Sequence, residues 1–168
     1  PNDFRVVLPD GKPGQSRAAL LPTDADVIGR QAYWGFSFFY DPGSNYTSAF
    51  YVGGPDFHAD GNCGSVSYTG LRLDDERLVL TVRGSNTPGQ CSPWYKTDYY
   101  INADGSFLKS CSWVGSGCPQ SQIPDRTGWK KVSKGTWHDF VLRVVWSDNF
   151  NGEVQLWVQK DRSGQYKE

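Results

Sequence analysis

What most constrains this chain is the regular interruption of short β-patterned runs by turn sequences. PDGKPG, DPGSN, GGPD, LDDER, SNTPGQ, NADG and SDNFNG recur along it. Between them lie candidate strands at Phe4–Leu8, Arg17–Leu21, Ala32–Tyr40, Ser48–Val52, Ser65–Leu73, Arg77–Arg83, Tyr95–Asn102, Phe107–Trp113, Gly128–Val132, Trp137–Trp146 and Glu153–Gln159. With 19 glycines and 10 prolines in 168 residues, long helices are disfavoured. Many short strands at this spacing predict an all-β, two-sheet antiparallel sandwich or jelly roll. There is no repeat and no linker, so residues 1–168 are read as one domain.

Alternation orients several strands. Val154, Leu156 and Val158 form one row of Glu153–Gln159; Glu153, Gln155, Trp157 and Gln159 form the other. A polar row with an indole in it reads equally as ordinary solvent surface or as the floor of a saccharide groove, since sugar C–H faces stack on indole while amides and carboxylates bond hydroxyls. In Trp137–Trp146 both rows are fairly apolar, so this strand is expected to be central and covered. Ala32–Tyr40 is aromatic on both faces.

Charge excludes some partners. Lys+Arg 17 against Asp+Glu 18 leaves a net charge of −1, with no basic surplus for nucleic acid. No apolar run reaches the length of a membrane-spanning helix. Cys63, Cys91, Cys111 and Cys118 fit no zinc spacing. They are read as two disulfides in a secreted protein, with Cys111–Cys118 and Cys63–Cys91 the favoured pairing. The chain begins Pro1-Asn2 with no apolar leader, so any signal peptide is expected to have been removed. Asn45-Tyr46-Thr47 is a glycosylation sequon.

Phosphate-binding loops, zinc-protease motifs and the nucleophile elbow are missing from the sequence. No cofactor or catalytic metal is expected. The oxygen-rich turn His58-Ala59-Asp60-Gly61-Asn62-Cys63 fits no calcium-loop spacing; it is read as a surface loop, with structural calcium as the alternative. Of the two histidines, His138 reads as structural and His58, in a Gly/Asp-rich stretch, as the functional candidate. Asp74-Asp75-Glu76 reads as a solvated hairpin turn. Asp98 and Glu153 are the carboxylates available to a glycosidase. For β-elimination in a uronic acid polymer, a cation must neutralise the carboxylate while a Tyr or His moves the protons. Arg17, Tyr51, Lys96, Tyr99, Tyr100 and Gln155 fall in suitable strands, and Tyr95, Tyr99 and Tyr100 beside Lys96 and Asp98 form the densest cluster.

The stretch Gly128-Trp129…Gly135-Thr136-Trp137-His138-Asp139-Phe140-Val141…Val145-Trp146-Ser147…Gly152-Glu153-Val154-Gln155-Leu156-Trp157 resembles a signature of the heparin-lyase-I-like and glucuronan-lyase-like polysaccharide lyases. Ser16-Arg17-Ala18-Ala19-Leu20 and Tyr33-Trp34-Gly35-Phe36-Ser37-Phe38 are similar to that family's paired upstream strands. The resemblance implies a concanavalin-like β-jelly roll, secretion, and a concave face for an acidic polysaccharide. It departs at Ala18, where the family has Glu, and at Phe50-Tyr51-Val52-Gly53, where the family has a Gln-x-His pair. The expected site has Arg17 on the carboxylate, His58, Tyr99 or Tyr100 moving protons, and Tyr51, Lys96, Gln155 and Trp157 binding sugar. A monomer is expected. The alternatives are a non-catalytic carbohydrate-binding module and a structural or interaction β-sandwich.

Overall fold

The computed structural model describes residues 31–43, 50–51, 57–58, 67–85, 94–115, 117–145, 147 and 152–160. Nine strands order them: β1 Gln31–Phe39, β2 Phe50–Tyr51, β3 Phe57–His58, β4 Ser67–Asp74, β5 Arg77–Ser85, β6 Trp94–Ile101, β7 Phe107–Trp113, β8 Trp137–Val145 and β9 Glu153–Lys160. They form two antiparallel sheets, a β-sandwich as the turn punctuation requires. The smaller sheet has the order β1-β8-β9. The larger has the order β2-β4-β5-β6-β7, with β3 also pairing β4.

Alternation explains the packing. Trp34, Phe36 and Phe38 of β1, Phe140, Leu142 and Val144 of β8, and Val154, Leu156 and Val158 of β9 face inward. They meet Leu71, Leu73, Leu78, Leu80, Val82, Tyr99 and Ile101 of the larger sheet. Strand β8 lies between β1 and β9, matching its two apolar rows. Burial of these rows supplies the main driving force, about 1.5–3 kcal/mol per large side chain.

A second apolar cluster lies on the outer side of the larger sheet. Val79, Tyr100 and Cys111 are buried there beneath Trp129, with Cys118 and Ile123 packed alongside. The segment from Cys118 to Val132 therefore covers part of that face. Trp129 is held edge-on to Tyr100 with ring centroids 5.2 Å apart, and its Nε1 donates to the Ile101 carbonyl at 2.8 Å. The strand expected at Gly128–Val132 is not formed. Its groups bond elsewhere: Lys130 N–H donates to Asn102 Oδ1 and Val132 N–H to the Glu76 carbonyl. Phe57–His58, expected as loop, pairs with β4 instead.

The hairpin at Asp74–Arg77 departs furthest from expectation. Asp75 and Glu76 form a two-residue turn with φ of 49° and 64°, a left-handed pair that suits glycine better. The turn is not a solvated one. Glu76 is only 7% exposed, and its carboxylate accepts the Tyr40 hydroxyl at 2.5 Å, Lys131 Nζ at 2.9 Å and Lys134 Nζ at 3.1 Å. These contacts, led by the Tyr40 hydrogen bond, lower the Glu76 pKa to about 2 against burial, which opposes the shift. His138 is buried as a structural residue, its Nε2 within 3.0 Å of Thr136 Oγ1 and 3.1 Å of the Ser133 carbonyl.

Because the folded pKa of Glu76 lies below that of the unfolded chain, its contribution is complete above about pH 4.5 and disappears as pH falls toward 2. Thermal unfolding across that window is expected to show a falling Tm for the wild type. Glu76→Gln is expected to unfold at lower temperature at neutral pH and to lose part of that acid dependence. Equal acid slopes in the two proteins would contradict the assignment.

Candidate functional site

The candidate site is built on the outer face of the larger sheet, where β4, β5, β6 and β7 align their out-facing residues in rows. One row runs Thr81, Asp98, Cys111; the next runs Arg83, Lys96, Trp113. Arg72 projects from β4 beside the first row. Its guanidinium grips Asp98 with two nitrogens, at 3.2 and 3.1 Å, and also donates to Thr81 Oγ1. Thr81 donates in turn to Asp98 at 2.6 Å. The Asp98 side chain is 5% exposed and that of Arg72 19%, so this fork pair is nearly dry.

Asp98 thus already has its cation. Arg83 and Lys96 do not: among the described residues neither forms an ion pair with a carboxylate. Arg83 Nε is buried without a hydrogen-bond partner in the described structure, as is Trp113 Nε1. Lys96 Nζ sits over the Trp113 ring, 4.4 Å from its centroid, a cation–π contact. Burial pushes the Lys96 ammonium below the ordinary lysine range, Arg83 adds repulsion, and Asp98 opposes both. The row therefore combines two adjacent positive charges and an aromatic wall. That set suits a sugar ring bearing a carboxylate or sulfate.

The Cys111–Cys118 disulfide, expected from the sequence, forms one border of this surface. The Cys118 sulfur lies 4.0 Å from the Asp98 carboxylate. Trp113 stands within the small closed loop, so the crosslink fixes the wall against which Lys96 rests.

The expected site residues are distributed unevenly. Lys96 lies in the row. Tyr99, on the opposite side of β6, packs against the core, while Tyr100 is buried beneath Trp129. Burial, followed by the Asp98 charge, raises the Tyr100 pKa. Tyr51 stands opposite Arg72 in the β2–β4 register, and His58 opposite Ser67 in β3–β4. Gln155 and Trp157 face outward from the smaller sheet, on the far side of the sandwich. Glu153 lies there too, ion-paired with Arg143 at 2.8 Å. Asp98 and Glu153 therefore occupy opposite outer faces and cannot flank one glycosidic bond, which removes the glycosidase alternative. Arg17, Cys63, Cys91 and the sequon at 45–47 lie outside the described residues. So does most of the turn considered for calcium, and among the described residues no cluster of His, Cys, Asp and Glu could hold a metal ion. Arg83 was not singled out from sequence, although alternation in Arg77–Arg83 puts it on the same side as Thr81.

An apolar crevice of ≈ 180 Å³ between the sheets, lined by Leu80, Tyr99, Ile101, Val154, Leu156 and Val158, has no charged group and suits no ionic substrate.

Asp98→Asn is expected to cost about 2–4 kcal/mol in urea unfolding, because it leaves the Arg72 guanidinium under-compensated in a nearly dry site. Replacing both Cys111 and Cys118 by Ser is expected to cost about 2.5 kcal/mol from the eight-residue loop that the bond closes. A change below about 0.5 kcal/mol in either variant would contradict these roles.

A family model described as "Polysaccharide lyase" matches residues 2–167. No curated protein and no solved structure matches the chain.

Proposed function

The chain belongs to the polysaccharide lyase family, and from that premise we propose that it cleaves a uronic acid-containing polysaccharide by β-elimination on the outer face of its larger sheet. The observation that carries this reading is the Arg83–Lys96 pair beside Trp113, two positive charges with no carboxylate of their own among the described residues. Both groups are partly accessible to a polymer lying across the strands.

The chemistry follows from the charges. A uronate carboxylate resists deprotonation at C5 because the carbanion would place a second negative charge beside the first. Arg83 and Lys96 neutralise the carboxylate and stabilise the enolate that develops. A base removes the C5 proton, the electron pair forms the C4–C5 double bond, and the C4–O bond breaks. The departing oxygen takes a proton from an acid. Tyr100 is sealed beneath Trp129, Tyr99 faces the core, and His58 stands opposite Ser67, which shares its side of β4 with Leu71 and Leu73, so the proton-moving group is drawn from β2: Tyr51, opposite Arg72. Arg72 is a positioning residue, held by Asp98 and Thr81. The reading includes an extracellular setting, supported by the Cys111–Cys118 disulfide.

The test is ultraviolet absorbance of the unsaturated product on glucuronan, alginate, heparin-type and pectic polymers. A rise on one of them is expected, with Arg83→Ala and Lys96→Ala each lowering kcat/KM about 10²–10³-fold. Lys96 must be protonated to hold the carboxylate, so activity is expected to fall as pH rises through its lowered pKa. Arg83→Ala removes the repulsion and is expected to move that alkaline limb upward. No absorbance rise, with the protein retarded in a gel containing one of these polymers, would replace the lyase reading by that of a binding module.

A further inference from the structure

The outer face of the smaller sheet carries a second arrangement suited to sugar, turned away from the first. Tyr33 of β1 is 58% exposed, and its ring lies 6.4 Å from that of Trp157 on β9, the planes 27° apart. The two rings bridge over β8. Gly35 lies in the same register row as Val141 and Trp157, so a trough runs beside the indole. Among the described residues a Cβ built at Gly35 would come no closer than 4.0 Å, to the Phe140 carbonyl oxygen, and Gly35 is exposed.

Planar hydrogen-bonding groups rim the aromatic pair in fixed positions. Gln31 Nε2 donates to the Tyr33 hydroxyl at 3.0 Å, and its Oε1 accepts from Arg143 at 2.8 Å. Arg143 also donates to Gln155 Oε1 at 2.9 Å and pairs with Glu153 at 2.8 Å. The network holds each side chain in one geometry, which lowers the entropy lost when a ligand is bound. Its charges are also balanced. Arg143 already has its carboxylate, so among the described residues this face, unlike the Arg83–Lys96 row, presents no unpaired cation.

We infer that the Tyr33–Gly35–Trp157 surface is a second, non-catalytic polysaccharide-binding platform for an uncharged β-linked pyranose chain. Rings with equatorial hydroxyls present flat C–H faces to the aromatic pair and direct their hydroxyls sideways to Gln31 and Gln155. A polysaccharide lyase works among polymers, and a platform on the opposite side of the sandwich would hold it on a carbohydrate matrix while leaving the catalytic face free. The inference goes beyond the proposed reaction and does not depend on it.

The probe is hydroxyethylcellulose cast into a native gel, with the full chain as wild type, Tyr33→Ala, Gly35→Val, and the double variant Arg83→Ala/Lys96→Ala. Retardation is expected for the wild type and, to the same degree, for the double variant, which lacks the first site. Tyr33→Ala and Gly35→Val are each expected to weaken retention about three- to tenfold. Valine at position 35 fills the trough without meeting the core, and circular dichroism checks that both variants fold. Their absorbance rate on a soluble uronate polymer is expected to stay at the wild-type value, so failure of the platform and failure of the lyase reading are seen separately. Three outcomes overturn the inference: no retardation of the wild type, retention unchanged in both Tyr33→Ala and Gly35→Val, or retention lost in the double variant.

Discussion

The described structure turns on the buried carboxylate of Glu76. It sits in a two-residue turn whose backbone is unfavourable for a residue with a side chain, at roughly 1–2 kcal/mol for each left-handed position. Offsetting that cost are one hydroxyl and two ammonium donors, brought from the end of β1 and from the segment after Trp129. The neighbouring residues add to the anchorage. Arg77 donates to the carbonyls of Trp129 and Arg126, and Asp75 pairs with Arg126. One hairpin turn thereby fastens a long irregular segment that has no ladder of its own.

That fastening decides which part of the outer face is covered. Once the segment from Cys118 to Val132 is in place, Trp129, Ile123 and Cys118 close part of the outer face of the larger sheet. Tyr100 falls in the covered part. The Arg83–Lys96–Trp113 row lies beyond it and retains partial exposure. Within the row, electrostatics separates roles that residue type alone would merge. Arg72 is saturated by Asp98 and Thr81 and behaves as structure, whereas Arg83 and Lys96 keep their charge available. The two outer faces of the sandwich differ in the same way: Arg143 is matched by Glu153 on one, and the cation pair on the other is unmatched among the described residues.

Much of the fold was legible in the sequence, because period-two alternation and turn residues are local properties. The apolar row of β9, the central position of β8 and the Cys111–Cys118 crosslink all follow from neighbouring residues. The exceptions have a common cause. Gly128–Val132 carries an apolar, strand-like pattern, yet its donors and acceptors are satisfied by Glu76, Asn102 and Arg77, which are distant in sequence. LDDER reads as solvent-exposed turn because three charges in a row normally are. Its burial depends on Tyr40, Lys131 and Lys134 converging from other parts of the chain.

The candidate site divides along the same line. Sequence alone determined the inventory: a two-sheet sandwich, aromatics and amides suited to sugar, cations suited to a uronate, and cysteines suited to an oxidising compartment. It also determined, by alternation, which residues of a strand share a side. Which side stays open, and which cation stays unpaired, was decided only by tertiary structure. Tyr95, Lys96, Asp98, Tyr99 and Tyr100 form one cluster in sequence, but the pleat sends them to two faces, and on the outer one Trp129 covers Tyr100 and leaves Lys96 partly exposed. Lys96 and Arg83 become neighbours only because β5 and β6 pair in that register. Accessibility and net charge at a point in space are sums over every segment that folds against it, and no single strand contains them.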